Sequence, residues 1–107
     1  MLVFSNAAPG QDREYNAWYD EVHVPEVLRL PGVMSARRFR LSAEQLDPAL
    51  GPATGYVATY ELDLEDLGSL REALLSAVQR GQMTMSPTVA DMKSFIYEEI
   101  TPVRTRE

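Results

Sequence analysis

The stretch Tyr56-Val57-Ala58-Thr59-Tyr60-Glu61-Leu62, followed by Leu67, Leu70, Leu74, Ala77 and Val78, decides the fold. Tyr56, Ala58, Tyr60 and Leu62 alternate with Val57, Thr59 and Glu61, and a period of two is the signature of a strand. The apolar positions from Leu67 onward recur at helical spacing. Ser69 and Glu72 fit a capping box for that helix, with Asp63 and Asp66 as rival starts, and Arg80-Gly81 is a fitting stop. Upstream, Ser42 to Thr54 contains Pro48, Gly51 and Pro52 and reads as a surface loop. Before it, Val33 to Leu41 reads as a strand, with Val33, Ser35, Arg37 and Phe39 on one side. Leu2 to Asn6 is a first short strand. Helix one runs from Asp12 to His23, with Asp12 and Glu14 favouring its dipole. Pro25 should break it, and Pro25 to Leu30 should form a second, offset helical piece before Pro31-Gly32. Downstream, Gln82 to Asp91 connects to a last strand over Lys93 to Ile100, and Val103 to Glu107 is a polar tail.

The order strand, helix, strand, strand, helix, strand is the split βαβ pattern of an α+β chain. It predicts a four-stranded antiparallel sheet with two helices on one face, in a single domain over residues 1–107. The strands carry apolar residues on both sides: Val57 opposes Tyr56 and Tyr60, and Ile96 and Ile100 oppose Phe95 and Tyr97. A bare second face would be larger than soluble monomers usually expose, so sheet-to-sheet homodimerisation is expected.

Composition excludes several classes of function. The chain has no cysteine and one histidine, which rules out disulfides, thiolate chemistry and a multi-histidine metal site within one chain. A net charge of −6 argues against nucleic acid, because phosphate binding needs clustered Lys and Arg. No glycine loop suited to phosphates is present, so nucleotide cofactors are not expected. No apolar run approaches the ~20 residues of a membrane span, and no signal peptide is recognisable, so the expectation is a cytoplasmic protein.

The chemistry is expected in Asn16-Ala17-Trp18-Tyr19-Asp20-Glu21-Val22-His23-Val24-Pro25, which holds the only histidine and the only tryptophan. Imidazole changes charge near neutrality, with an unperturbed pKa of ~6.5. On a helix, Asp20 at i−3 and Tyr19 at i−4 share its face and are placed to orient it. A helix end at Pro25 and the carboxylates of Asp20 and Glu26 would favour the protonated form, while burial would oppose it.

The string Tyr15-Asn16-x-Trp18-Tyr19-Asp20-x-x-His23-Val24-Pro25-Glu26-Val27-Leu28 continues into Leu30-Pro31-Gly32-Val33 and Ala36-Arg37-Arg38-Phe39. It resembles the EthD-type members of the dimeric α+β barrel superfamily. The likeness is close over Gly10 to Arg40 and compatible in element order through Glu99. It implies a ferredoxin-like protomer whose sheet packs on that of a second copy, forming a barrel across the dimer. The superfamily includes cofactor-free oxygenases, polyketide cyclases, muconolactone isomerase-like proteins and haem-handling enzymes, so the resemblance implies a fold more firmly than a reaction. The additional histidine of certain cyclases is missing, which puts a two-histidine mechanism out of reach.

Each candidate residue also has a plain structural use. His23 serves either as a general acid or base at a pocket between sheet and helices, or as an anchor on a backbone carbonyl. Tyr60 and Tyr56 flank the small Ala58 on one strand face. They are either core phenols or hydrogen-bond donors to a substrate oxygen, and Tyr97 is a weaker candidate of the same kind. Trp18 and Tyr19 are packing residues or an aromatic clamp, and Asn16, seven residues before His23, is a candidate polar contact. Arg37, Arg38 and Arg40 alternate in direction, and one of them is expected to pair with Glu61, Glu98 or Glu99 across the sheet; Arg38, which matches the family string, is placed to reach the pocket or the dimer seam. Met83, Met85 and Met92 fill core gaps or cover an apolar ligand.

The resulting expectation is a homodimeric enzyme without cofactor or metal, acting on an apolar, carbonyl-bearing or phenolic metabolite. Its chemistry would be that of a cyclase, isomerase or lyase. His23 would move the proton, Asp20 would orient it, and Tyr60 would polarise the oxygen. Alternatives are a non-catalytic ligand-binding or accessory protein that assists an oxygenase, and an oxygenase of the same superfamily.

Overall fold

The computed structural model describes residues 1–51, 53–63 and 65–107; Pro52, assigned above to the surface loop, lies outside them. The elements are β1 (Leu2–Ala7), α1 (Asp12–Trp18), a π-helical turn (Tyr19–His23), α2 (Val24–Leu28), β2 (Val33–Arg40), a 3₁₀ turn (Pro48–Leu50), β3 (Tyr56–Leu62), α3 (Leu67–Gln79) and β4 (Val89–Phe95). The strands form one antiparallel sheet in the order β2-β3-β1-β4, which is the ferredoxin-like topology. The molecule measures 43 × 42 × 20 Å.

Cross-strand register fixes which side chains face the helices. Val3 opposes Ala58, and Ala58 opposes Arg38. Val3, Ala58 and Tyr60 are buried in one cluster with Tyr15, Tyr19 and Val27 of the first helical segment and Leu70 of α3. Both helical segments therefore cover the same face, as the element order predicts. Met83 and Met92 pack against this cluster, whereas Met85 is exposed.

Three local expectations are corrected. The first helix does not end at His23. Val24 keeps helical dihedrals (φ −59°, ψ −46°), and its N–H donates to the Tyr19 carbonyl five residues back. Pro25 has no N–H to satisfy and its ring crowds the carbonyl four residues earlier; widening the preceding turn by one residue accommodates both.

The second correction concerns β2, which ends at Arg40 rather than Leu41 and has a bulge near its start. Val33 pairs with Leu62 and Ser35 with Glu61, so Met34 is the extra residue and stands exposed. The bulge reverses the phase. Val33, Ala36 and Arg38 share the helix side, and Ser35, Arg37 and Phe39 turn to the other.

The third correction is that the last strand is Val89–Phe95, not Lys93–Ile100. Its one neighbour among the described residues, β1, pairs Leu2 with Phe95, so Ile96 to Ile100 has no ladder to join.

Turn chemistry behaves as the sequence suggests. In Leu30-Pro31-Gly32-Val33, the Val33 N–H donates to the Leu30 carbonyl and Gly32 has φ +86°, a type II turn that requires a residue tolerant of positive φ. The Ser69–Glu72 capping box does not form, because Ser69 lies inside α3; the rival start Asp66 is the cap, its carboxylate accepting from the Gly68 N–H at 2.8 Å. Among the described residues, no helix is long and apolar enough to cross a membrane.

Candidate functional site

Tyr15, Tyr19 and His23 follow one another at intervals of four and are all buried on the inner side of the first helical segment. Beneath them lie Ser5 of β1, Arg38 of β2 and Tyr56, Ala58 and Tyr60 of β3. Ala58 is small and nearly inaccessible; opposite it in the register, Arg38 rises toward the helices.

Arg38 organises one half of this layer. Its guanidinium lies 4.5 Å from the Tyr19 ring centroid and within 6 Å of the Tyr15 and Tyr56 rings, at 5.6 and 5.9 Å. It donates to Asp20 Oδ1 and to Asn16 Oδ1, each at 2.6 Å. Asn16 donates in turn to the Asp12 carbonyl at 2.8 Å and to the Tyr56 hydroxyl at 3.3 Å, and Tyr56 donates to Asp12 Oδ2 at 2.6 Å. Arg38 pairs with Asp20 rather than with Glu61, Glu98 or Glu99, and this ion pair is the only one among the described residues. The bulge explains the change: it turns Arg38 to the helix side, away from the carboxylates of the opposite face.

His23 occupies the other half. Its ring stacks on Trp18 (4.6 Å between centroids, 20° between planes) and meets the Tyr19 ring edge-on at 5.0 Å. Trp18 is held in turn by its Nε1–H donating to the Thr84 carbonyl at 3.0 Å. The expected orientation of His23 by Asp20 is not found, because the Asp20 carboxylate is largely exposed and engaged by Arg38. Glu26 is also elsewhere, accepting from the Thr84 N–H. With the helix continuing past Pro25, no carbonyl-rich end lies beside the imidazole. Burial is the influence that remains, and it lowers the His23 pKa from 6.5 to about 4, so the ring is neutral at pH 7.

The layer is unusually polar for a core. Tyr15 and Ser5 hydroxyls bond each other. The Tyr19 and Tyr60 hydroxyls are neighbours that influence each other's ionisation, yet neither has a partner of good geometry, and His23 Nδ1 has none. Burial pushes the Tyr60 phenol up to about 12 and raises Tyr19 further in the same direction, so both keep their protons and remain available as donors. Buried polar atoms without protein partners are few in folded proteins, and each is a place for a bound water, an ion or a ligand group.

The predicted residues are thus brought together unequally. Asn16, Tyr56 and Arg38 form one network with Asp20, and they line a small cleft of about 190 Å³ with Phe39 and Arg40. Trp18, Tyr19 and His23 form an adjoining aromatic stack, and Tyr60 meets Tyr19. Tyr97 stands apart, 67% exposed beyond β4, in an outer cleft of about 780 Å³ that Tyr60 also lines. His23 lines none of four well-formed surface clefts among the described residues. Sequence reasoning missed Ser5 and Tyr15; the spacing of Tyr15, Tyr19 and His23 was the signal for the latter. Among the described residues, no three His, Asp or Glu side chains converge as a metal site would require.

No family model and no curated protein matches the chain. Among solved structures it is similar to an ethyl tert-butyl ether d (EthD) family protein from Bacillus halodurans C-125, at 14% identity and a TM-score of 0.46, over 89% of this chain and 96% of that one.

Proposed function

We propose that this chain is a small cytoplasmic enzyme that needs no cofactor and transfers a proton on an apolar, carbonyl-bearing or phenolic molecule, as a cyclase, isomerase or lyase does. The observation that carries this reading is the group of buried, unpartnered polar atoms in one layer: His23 Nδ1, Tyr19 OH and Tyr60 OH. A neutral imidazole is a proton acceptor, and a protonated phenol is a donor to a carbonyl oxygen that becomes an enolate. In this reading His23 takes a proton from the carbon beside the carbonyl, and Tyr60 holds the oxygen. Arg38, above Tyr19, favours the negative charge that develops. The same charge raises the basicity of an imidazole that burial alone leaves weak. Asp20 and Asn16 position Arg38, Tyr56 holds the outer end of that network, and Trp18 covers His23 until substrate displaces it. Tyr97, exposed beyond β4, is the outermost of the proposed substrate contacts.

The working unit in this proposal is a homodimer joined through the open sheet face. Leu2, Phe4, Val57, Phe39 and Phe95 share that face by register; Phe4 and Phe95 touch edge-on at 6.1 Å, and Phe39 and Phe95 are each over two-fifths exposed.

Exchange of the α-hydrogens of 2-tetralone in deuterated buffer tests the chemistry without knowledge of the natural substrate. The expected result is exchange faster than in buffer alone, cut by about 10²–10⁴-fold in His23→Gln and less severely in Tyr60→Phe. Exchange no faster than in buffer, or undiminished in His23→Gln, contradicts the proposal.

A second reading, a non-catalytic ligand-binding or accessory protein, is favoured by one observation. His23 lies beneath Trp18 and outside every cleft described above. Saturable binding of the ketone without exchange selects it.

A further inference from the structure

We infer that the cleft between α2 and α3 is a separate binding site for a small zwitterion, a molecule carrying an ammonium and a carboxylate on a short apolar body. The cleft has a volume of about 520 Å³ and is lined by none of the residues proposed above for proton transfer.

Glu26 is the unusual component. It is only 8% exposed, and its Oε2 accepts from the Thr84 N–H at 2.8 Å while its Oε1 has no partner. A buried acceptor left unmatched is costly, and a carboxylate oxygen more so than a neutral one. The group that matches it is rich in donors and positively charged, and an ammonium is both.

Arg29 and Arg80 line the same cleft. Both are exposed, and neither forms an ion pair among the described residues. Paired guanidiniums suit a carboxylate, which they bind through parallel N–H donors. Leu30, Ala77 and Met83 line the same cleft and offer an apolar wall. A simple cation entering the cleft meets two arginines, and a simple anion meets Glu26. A molecule with both charges satisfies each end.

Binding of L-leucine, followed by the Thr84 amide resonance, tests this, because Thr84 reports directly on the Glu26 carboxylate. The expected result is a saturable shift below about 10 mM. Binding should weaken at least tenfold for 3-methylbutylamine and for 4-methylpentanoate, which each carry one of the two charges. Glu26→Gln, which keeps an acceptor for Thr84, should weaken leucine binding at least tenfold. Arg80→Gln, a surface change, should also weaken it with the melting temperature unchanged. Absence of a saturable shift, equal binding of either singly charged analogue, or full binding by Glu26→Gln overturns the inference.

Discussion

Lowering the pH from 7 to 4 is expected to destabilise the wild-type protein by about 3 kcal/mol more than it destabilises His23→Gln. The ring has a pKa near 6.5 in an unfolded chain and about 4 in the folded one. Because the folded value is the lower, the unfolded chain binds the proton first, and protonation favours unfolding. The contribution is absent above pH 6.5, grows as pH falls toward 4, and is complete below that. A difference of about 2.5 pH units at 1.36 kcal/mol per unit amounts to about 3 kcal/mol. The carboxylates titrate in both proteins, so comparing the two isolates the imidazole. Urea unfolding followed by the fluorescence of Trp18, stacked on His23, supplies the measurement. Parallel stability curves for the two proteins would mean that the ring is solvated or paired in the folded state.

Tyr15→Ala should be the most damaging single change in the first helix, at about 3–5 kcal/mol. Tyr15 is completely inaccessible, and its ring contacts those of Tyr19 and Tyr56 at 5.4 and 4.7 Å between centroids. The loss approaches the whole stability of a domain this size, about 5–15 kcal/mol. Tyr15→Phe separates packing from hydrogen bonding. It keeps the ring but strands the buried Ser5 hydroxyl, and is expected to cost about 1–3 kcal/mol. Adding Ser5→Ala to Tyr15→Phe should recover part of that loss, since both polar partners are then gone. Denaturation of the four proteins as a double-mutant cycle reads the coupling. Additive losses would show that the two hydroxyls do not depend on one another.

Much of the fold was legible because local signals agreed with the final packing. The alternation at Tyr56 to Leu62 and the Leu-Pro-Gly-Val turn both named their structures correctly. Element order gave the antiparallel sheet with both helical segments on one face. Two of the errors arose where one residue altered a period, and the third, the bounds of β4, where the neighbouring strand ran out. Met34, as a bulge, shifted the phase of β2, and no sequence period announces a bulge. Alternation from Val33 put Arg38 on the far face, and it was the motif resemblance, not the period, that pointed Arg38 toward the pocket.

The π-helical turn had a similar effect on the site. Spacing rules for an α-helix put Asp20 and Tyr19 beside His23. In the widened turn, Tyr19 at i−4 stays against the ring while Asp20 at i−3 swings out to Arg38. The proline was visible in the sequence, but the way the helix absorbs it was not. The His23 environment followed from that: without a helix end or a nearby carboxylate, desolvation decides its charge.

Nitrogen resonances of the imidazole test the central claim most directly, because a chain with one histidine gives a single pair of signals. At pH 7 the account predicts a neutral ring whose Nδ1 signal shifts saturably as 2-tetralone is added. A ring that is charged at pH 7, or whose signals stay fixed while the ketone saturates shifts elsewhere in the protein, would contradict it.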